Sequence, residues 1–143
     1  MTPTHRFCRV QAQKFSTGAL WHLASSADNK SQMVNAGAIP LLVTVLSSKS
    51  SEAREYAAAV VSALARSQGG NKKVLYQAGA IDPLVALLSE TRNMTQRHAA
   101  CSLWALSDGK DGIYDKAIAE AGAIPLLISM LQVRSPRSRN LAP

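Results

Sequence analysis

Apolar residues recur along this chain in three kinds of stretch, always in the same order. The most apolar is short: Leu41-Leu42-Val43-Thr44-Val45-Leu46, matched by Leu84-Val85-Ala86-Leu87-Leu88 and by Leu126-Leu127-Ile128-Ser129-Met130-Leu131. Ahead of each lies a short helical run, at residues 30–35, 72–77 and 114–120. A longer amphipathic stretch follows, at 51–67 and again at 93–107, with apolar positions three and four apart. That spacing predicts helices with one buried face. Strand signals are essentially absent.

Between the first two runs stands one repeated phrase. It reads Ala36-Gly37-Ala38-Ile39-Pro40, then Ala78-Gly79-Ala80-Ile81-Asp82-Pro83, then Ala121-Gly122-Ala123-Ile124-Pro125. The three glycines are separated by 42 and 43 residues, a period that marks a stacked repeat array. Glycine suits a tight turn between helices, where positive φ costs it nothing. Proline follows in the first turn of the next helix, where its missing N–H is not needed.

In this register the chain divides into residues 1–11, a basic segment expected to be flexible, and an array over 12–132. The array comprises a partial repeat at 12–28, whose helix is expected to run over 12–26, full repeats at 29–67 and 71–108, and a partial repeat at 112–132. Residues 133–143 form a Ser/Pro/Arg tail without periodicity, expected to be disordered. Each end is thus expected to fall inside a repeat. Solenoids use polar-faced terminal repeats for solubility, so a fragment of a longer array and self-association through uncapped ends are both live readings.

The phrase, with its Leu-Leu continuation, resembles the armadillo repeat family. So do the third-helix endings Ala19-Leu20-Trp21-His22-Leu23-Ala24, Val60-Val61-Ser62-Ala63-Leu64-Ala65 and Ser102-Leu103-Trp104-Ala105-Leu106-Ser107. HEAT repeats have a similar length but lack the Gly-x-Ile-Pro turn. The resemblance implies an all-α, right-handed armadillo-type solenoid of three-helix repeats. It also implies that the long third helices line a concave groove holding an extended peptide of a partner protein.

Helical periodicity assigns the faces of those helices. Ala57, Val60, Val61 and Leu64 make the core stripe of the middle one. Glu52, Glu55, Ala59, Ala63 and Arg66 lie opposite. In the next, Leu103 and Leu106 face the core, while Met94, Arg97, Cys101, Ala105 and Asp108 lie opposite. The leading helix presents Lys14, Gly18, His22 and Ser25 in the same register. Trp21 and Trp104 hold equivalent positions beside the core stripe, with Ser62 between them. A tryptophan combines a large apolar face with one donor and is a frequent binding anchor. The candidate protein-binding residues are therefore His22, Glu55, Arg66, Arg97, Trp104, Asp108 and Trp21, with both tryptophans towards the groove edge.

Within the family, importin-alpha resembles this chain but carries a Trp and, four residues on, an Asn in its third helices. The corresponding pairs here are Gly18 with His22, Ala59 with Ala63, and Cys101 with Ala105. That difference counts against a basic import signal as ligand. A divergent nuclear import adapter, or a substrate-recognition array of a U-box ubiquitin ligase, stands as the alternative setting.

Charge and composition narrow the chemistry. The net charge is +7, but three of its cations lie within residues 1–14 and three in the tail, without an acid in either stretch. Between them ten Lys/Arg face nine Asp/Glu. No basic stripe runs along the repeats, which argues against a nucleic-acid groove. No apolar run reaches membrane-spanning length. Cys8 and Cys101 are far apart and read as thiols, consistent with a cytosolic or nuclear protein. His5, His22 and His98 show no metal-ligand spacing, and no catalytic set falls on facing positions. The stretch 68–73 lacks the phosphate-loop spacing and reads as an inter-repeat turn, with Asn71 expected to cap the helix that follows it. The sequence thus predicts a binding module without a cofactor and without catalytic machinery.

Overall fold

The computed structural model describes residues 2–68, 71–110 and 112–132. Among them are nine helices and no strand. In order they are α1 (Pro3–Leu23), α2 (Ala27–Asn35), α3 (Ala38–Val45), α4 (Ser51–Ala65), α5 (Asn71–Gln77), α6 (Ile81–Leu87), α7 (Asn93–Ser107), α8 (Ile113–Glu120) and α9 (Ala123–Leu131). Helices α2–α4 and α5–α7 are two complete triplets. Helix α1 stands as a third helix before them, and α8–α9 as a first and second after them.

The repeated phrase makes the same turn three times. Gly37, Gly79 and Gly122 have φ of 78°, 78° and 85°, the left-handed region that ends one helix and lets the next begin at once. A Cβ built on any of them would meet nothing within 4 Å. The requirement for glycine is therefore one of backbone conformation alone. Gly79→Ala is expected to destabilise the fold by about 1–2 kcal/mol, read as a lowered urea midpoint with an unchanged slope.

The core is one continuous cluster threaded by α4, which packs against α1 on one side and α7 on the other. Alanine makes this possible: Ala53, Ala57, Ala58 and Ala65 are fully buried, together with Val60, Val61 and Leu64. Short side chains let the three long helices lie side by side. One register position also ties the repeats together by polar contacts. Gln13 Oε1 accepts from Ser48 Oγ at 2.6 Å. Arg54 donates to the Ser48 carbonyl at 2.7 Å and pairs with Glu90 at 2.7 Å. Gln96 donates to the Leu88 carbonyl at 3.1 Å.

Two expectations are corrected. Residues 1–11 were to precede the first helix, but α1 begins at Pro3 and is 21 residues long. Proline is well placed at a helix start, and residues 4–11 contain neither Gly nor Pro to interrupt it. The expected 12–26 helix is thus extended at its front. Asn71 does not cap the helix that follows it. It is the first residue of α5, and its amide donates backwards to the Leu64 carbonyl at 3.2 Å, closing the end of α4. Asn29 does the same for α1 through the Leu23 carbonyl at 3.0 Å. An amide NH2 supplies the donor that a helix C-terminus lacks. The tail at 133–143, expected to be disordered, lies outside the described residues.

Candidate functional site

Because α1, α4 and α7 pack side by side, the positions opposite their core stripes form one continuous face. Its floor is small. Ala59 and Ala105 are buried, and Ala63 and Cys101 are half-buried. Gly18 leaves room for the ring of Tyr56, which would stand 3.3 Å from a Cβ at that position.

The seven candidate residues fall into three places on this face. Arg66, Trp104 and Asp108 come together with Ala65, Lys72 and Ala105 around a hollow of about 180 Å³ between the C-terminal ends of α4 and α7. Trp104 is 70% exposed. It lines that hollow together with Ala65 and Arg66 of the preceding repeat, so it stands in the groove between the two helices. Lys72 was not singled out by sequence. It reaches the site because α5 starts just below the end of α4, and its Nζ donates to the Asp108 carbonyl at 3.4 Å.

Arg97 and Glu55 lie further along the same face, around His98. Burial lowers the His98 pKa below its ordinary 6.5. The Arg97 charge adds to that shift, Glu55 opposes it, and Arg66 lowers it further. All three charges are therefore within electrostatic reach of one ring. Glu55 is not an open contact as its face assignment suggests: its carboxylate takes the Arg92 guanidinium at 2.7 Å. Arg92 lies just before α7, so a pair across two repeats was not visible from helical periodicity.

Trp21 and His22 are at the other end of the face, on α1. Both are exposed, and their rings lie 5.0 Å apart. Trp21 also stacks on Tyr56 of α4, at 5.6 Å and 24°. It is 38% exposed, about half as much as Trp104. The two tryptophans share a register position but not a role: one ring is packed against the next repeat, the other stands free. Ser62, between them, is buried.

Glu52 is engaged as well. It sits in the first turn of α4, where Ser50 caps the helix by accepting from the Ala53 N–H at 3.1 Å. A hydrogen bond from its own backbone N–H holds its carboxyl below the ordinary 4.5, with Lys14 and the neighbouring serines adding to it.

Larger hollows exist elsewhere, one of them of about 900 Å³ between the α6–α7 turn and α9. That one has neither an exposed aromatic ring nor an arginine in its lining. Among the described residues no helix is long and apolar enough to cross a membrane.

Residues 10–138 match the family model of the plant U-box protein ARM repeat region. Among solved structures, the chain is similar to computationally designed armadillo repeat proteins for modular peptide recognition. There the TM-score is 0.77 and the identity 26%, over 86% of this chain and 52% of that one. A designed armadillo repeat protein in complex with the peptide (KR)4 shares the fold, with a TM-score of 0.75 and 24% identity over 89% of this chain and 53% of that one. So does ARO, the armadillo repeats only protein from Plasmodium falciparum, with a TM-score of 0.79 and 21% identity over 86% and 52%. The chain thus spans about half the length of these structures. A search of the curated proteins returns no match.

Proposed function

This chain belongs to the armadillo repeat family, whose stacked repeats serve as protein-interaction scaffolds, and from that premise we propose that it binds an extended peptide segment of a partner protein across α4 and α7. One observation carries this reading. An exposed tryptophan, two cations and an acid converge on a hollow between consecutive third helices. A free aromatic face beside charged groups is the usual make-up of a binding anchor. The designed relatives made for peptide recognition, similar over 86% of this chain, support the same mode. The match over residues 10–138 supports one setting in particular, the substrate-recognition array of a plant-type U-box ubiquitin ligase.

The test compares the native chain with the double variant Trp104→Ala/Arg97→Glu in affinity capture from lysate. Circular dichroism and light scattering first establish that both are folded. Proteins held by the native chain are expected to be lost from the variant. Equal capture by both would rule the groove out as the binding surface.

A second reading, self-association, is favoured by the faces at the two ends. Leu131 is 77% exposed, whereas Leu46, its counterpart in the first full repeat, is 1% exposed beneath α4. On α1, Ala12, Ser16, Ala19 and Leu23 are all exposed, while their counterparts Ala53, Ala57, Val60 and Leu64 are buried. Among the described residues, no third helix covers the α9 end and no first and second helices cover the α1 face. Head-to-tail contact between copies would supply both. Such a contact is heterologous and does not close, so it predicts a molar mass that rises with concentration in sedimentation equilibrium and falls to the monomer in Leu131→Asp. A constant monomer mass for the native chain would dispose of it.

A further inference from the structure

The groove's acids and cations are not equally engaged. Glu52 lies 3.6 Å from Lys14, and Glu55 lies 2.7 Å from Arg92, so both acids on the outer face of α4 are matched within the protein. At the hollow the balance differs. Arg66 and Lys72, which line it, form no ion pair among the described residues, nor does Arg97 further along the face, and the acid that lines the hollow is Asp108. The bonds these cations do make are to helix-terminal carbonyls: Arg66 Nε to Ser62 at 3.4 Å, and Lys72 Nζ to Asp108 at 3.4 Å. Those contacts hold the side chains in place and leave the terminal guanidinium nitrogens of Arg66 open. Burial lowers the proton affinity of His98, and the Arg97 and Arg66 charges add to that shift while Glu55 opposes it.

Two surfaces of different chemistry thus adjoin. One is the Arg66 guanidinium, with Arg97 further along the same face, the other the apolar face of Trp104 beside the small residues Ala65 and Ala105. In an extended peptide, side chains two positions apart point the same way. A segment lying across α4 and α7 can place one side chain on each surface if they are spaced by a single residue. Arginine takes a carboxylate through paired N–H donors, and the tryptophan ring offers its face to an aliphatic or aromatic group.

Resting on the peptide-binding reading above, we propose that the recognised segment is acidic, with an Asp or Glu two residues from an apolar side chain. The carboxylate sits on Arg66, with Arg97 adding positive potential further along the face, and the apolar group fills the hollow against Trp104. Lysine-rich segments are disfavoured, because Arg66, Lys72 and Arg97 would face them without ion pairs of their own, while Glu52 and Glu55 are already matched within the protein.

Three labelled sixteen-residue peptides test this by fluorescence anisotropy, built from repeats of Asp-Ser-Leu-Ser, Asn-Ser-Leu-Ser and Lys-Ser-Leu-Ser. The Asp peptide is expected to bind roughly tenfold or more tighter than the Asn peptide, with the Lys peptide weakest, as expected for one charged contact worth at least ~1.4 kcal/mol. Raising the salt concentration is expected to narrow the gap, and Arg66→Glu/Arg97→Glu to invert the order. Both arginines are exposed at the surface, so that variant keeps the fold. A Lys peptide that binds as well as the Asp peptide, or an order unmoved by charge reversal, overturns the acidic preference. If all three peptides bind equally but lose binding in Trp104→Ala, the groove stands and only its charge preference falls. If no peptide responds to Trp104→Ala, both readings fall.

Discussion

Leu64→Ala is expected to cost about 2–5 kcal/mol, and Leu106→Ala a similar amount, while Leu23→Ala costs well under half as much. The three leucines hold the same register position on α4, α7 and α1. Leu64 and Leu106 are fully buried, and Leu23 is 51% exposed. The chemical deletion is identical, so the differences report only what covers each site. Truncating Leu64 leaves a cavity in the helix that joins both halves of the solenoid. Removing half-solvated methyl groups from Leu23 loses a smaller transfer term and opens no cavity. A domain of this size is held by roughly 5–15 kcal/mol in all, so Leu64→Ala is the variant that brings the chain nearest to unfolding. Urea titration of the three variants at one protein concentration checks the order. A Leu23→Ala cost equal to that of Leu64→Ala would mean that the α1 face is covered in solution, which is what association between copies requires.

The same comparison explains what the sequence could and could not reveal. The turns were legible because they depend on local chemistry: a glycine at positive φ and a proline in the first helical turn impose one geometry wherever they occur. The core stripes were legible because the helical period fixes which positions share a face, and Ala57, Val60, Val61, Leu64, Leu103 and Leu106 are all buried. The site was only partly legible. Periodicity placed Arg66 and Asp108 opposite the core stripes and Trp104 towards the groove edge, but a face has no depth. Lys72 enters the hollow from a different helix, and Arg92 reaches back to Glu55 from the approach to α7. Both contacts depend on how one repeat is set on the next, a relation between residues some 36 or 37 positions apart that no single helix pattern contains. The start of α1 was misread for another reason. Unbalanced positive charge at residues 6 and 9 suggested a solvated arm, yet charge imbalance does not oppose a helix in a segment free of Gly and Pro.

Trp104→Ala is expected to weaken partner binding by roughly thirtyfold or more, the ~2 kcal/mol or greater cost of removing an anchor residue, with little change in stability. Trp21→Ala is expected to do the reverse. At 70% exposure Trp104 has little packing to lose, so truncating it removes a ligand surface and leaves the solenoid intact. Trp21 stacks on Tyr56, the residue whose ring fills the space over Gly18. Its loss unpacks the contact between α1 and α4 and should lower the urea midpoint, by an amount on the order of 1–3 kcal/mol for a half-buried aromatic pair. The pair of variants works as a crossed control, because sequence alone gives the two residues the same assignment. Binding is measured against a partner recovered by the capture experiment or against the acidic peptide, and stability by urea titration of the same preparations. The prediction fails if the two variants behave alike. Equal losses of binding would move the ligand along the whole face towards α1, and equal losses of stability would mean that Trp104 is held by packing after all.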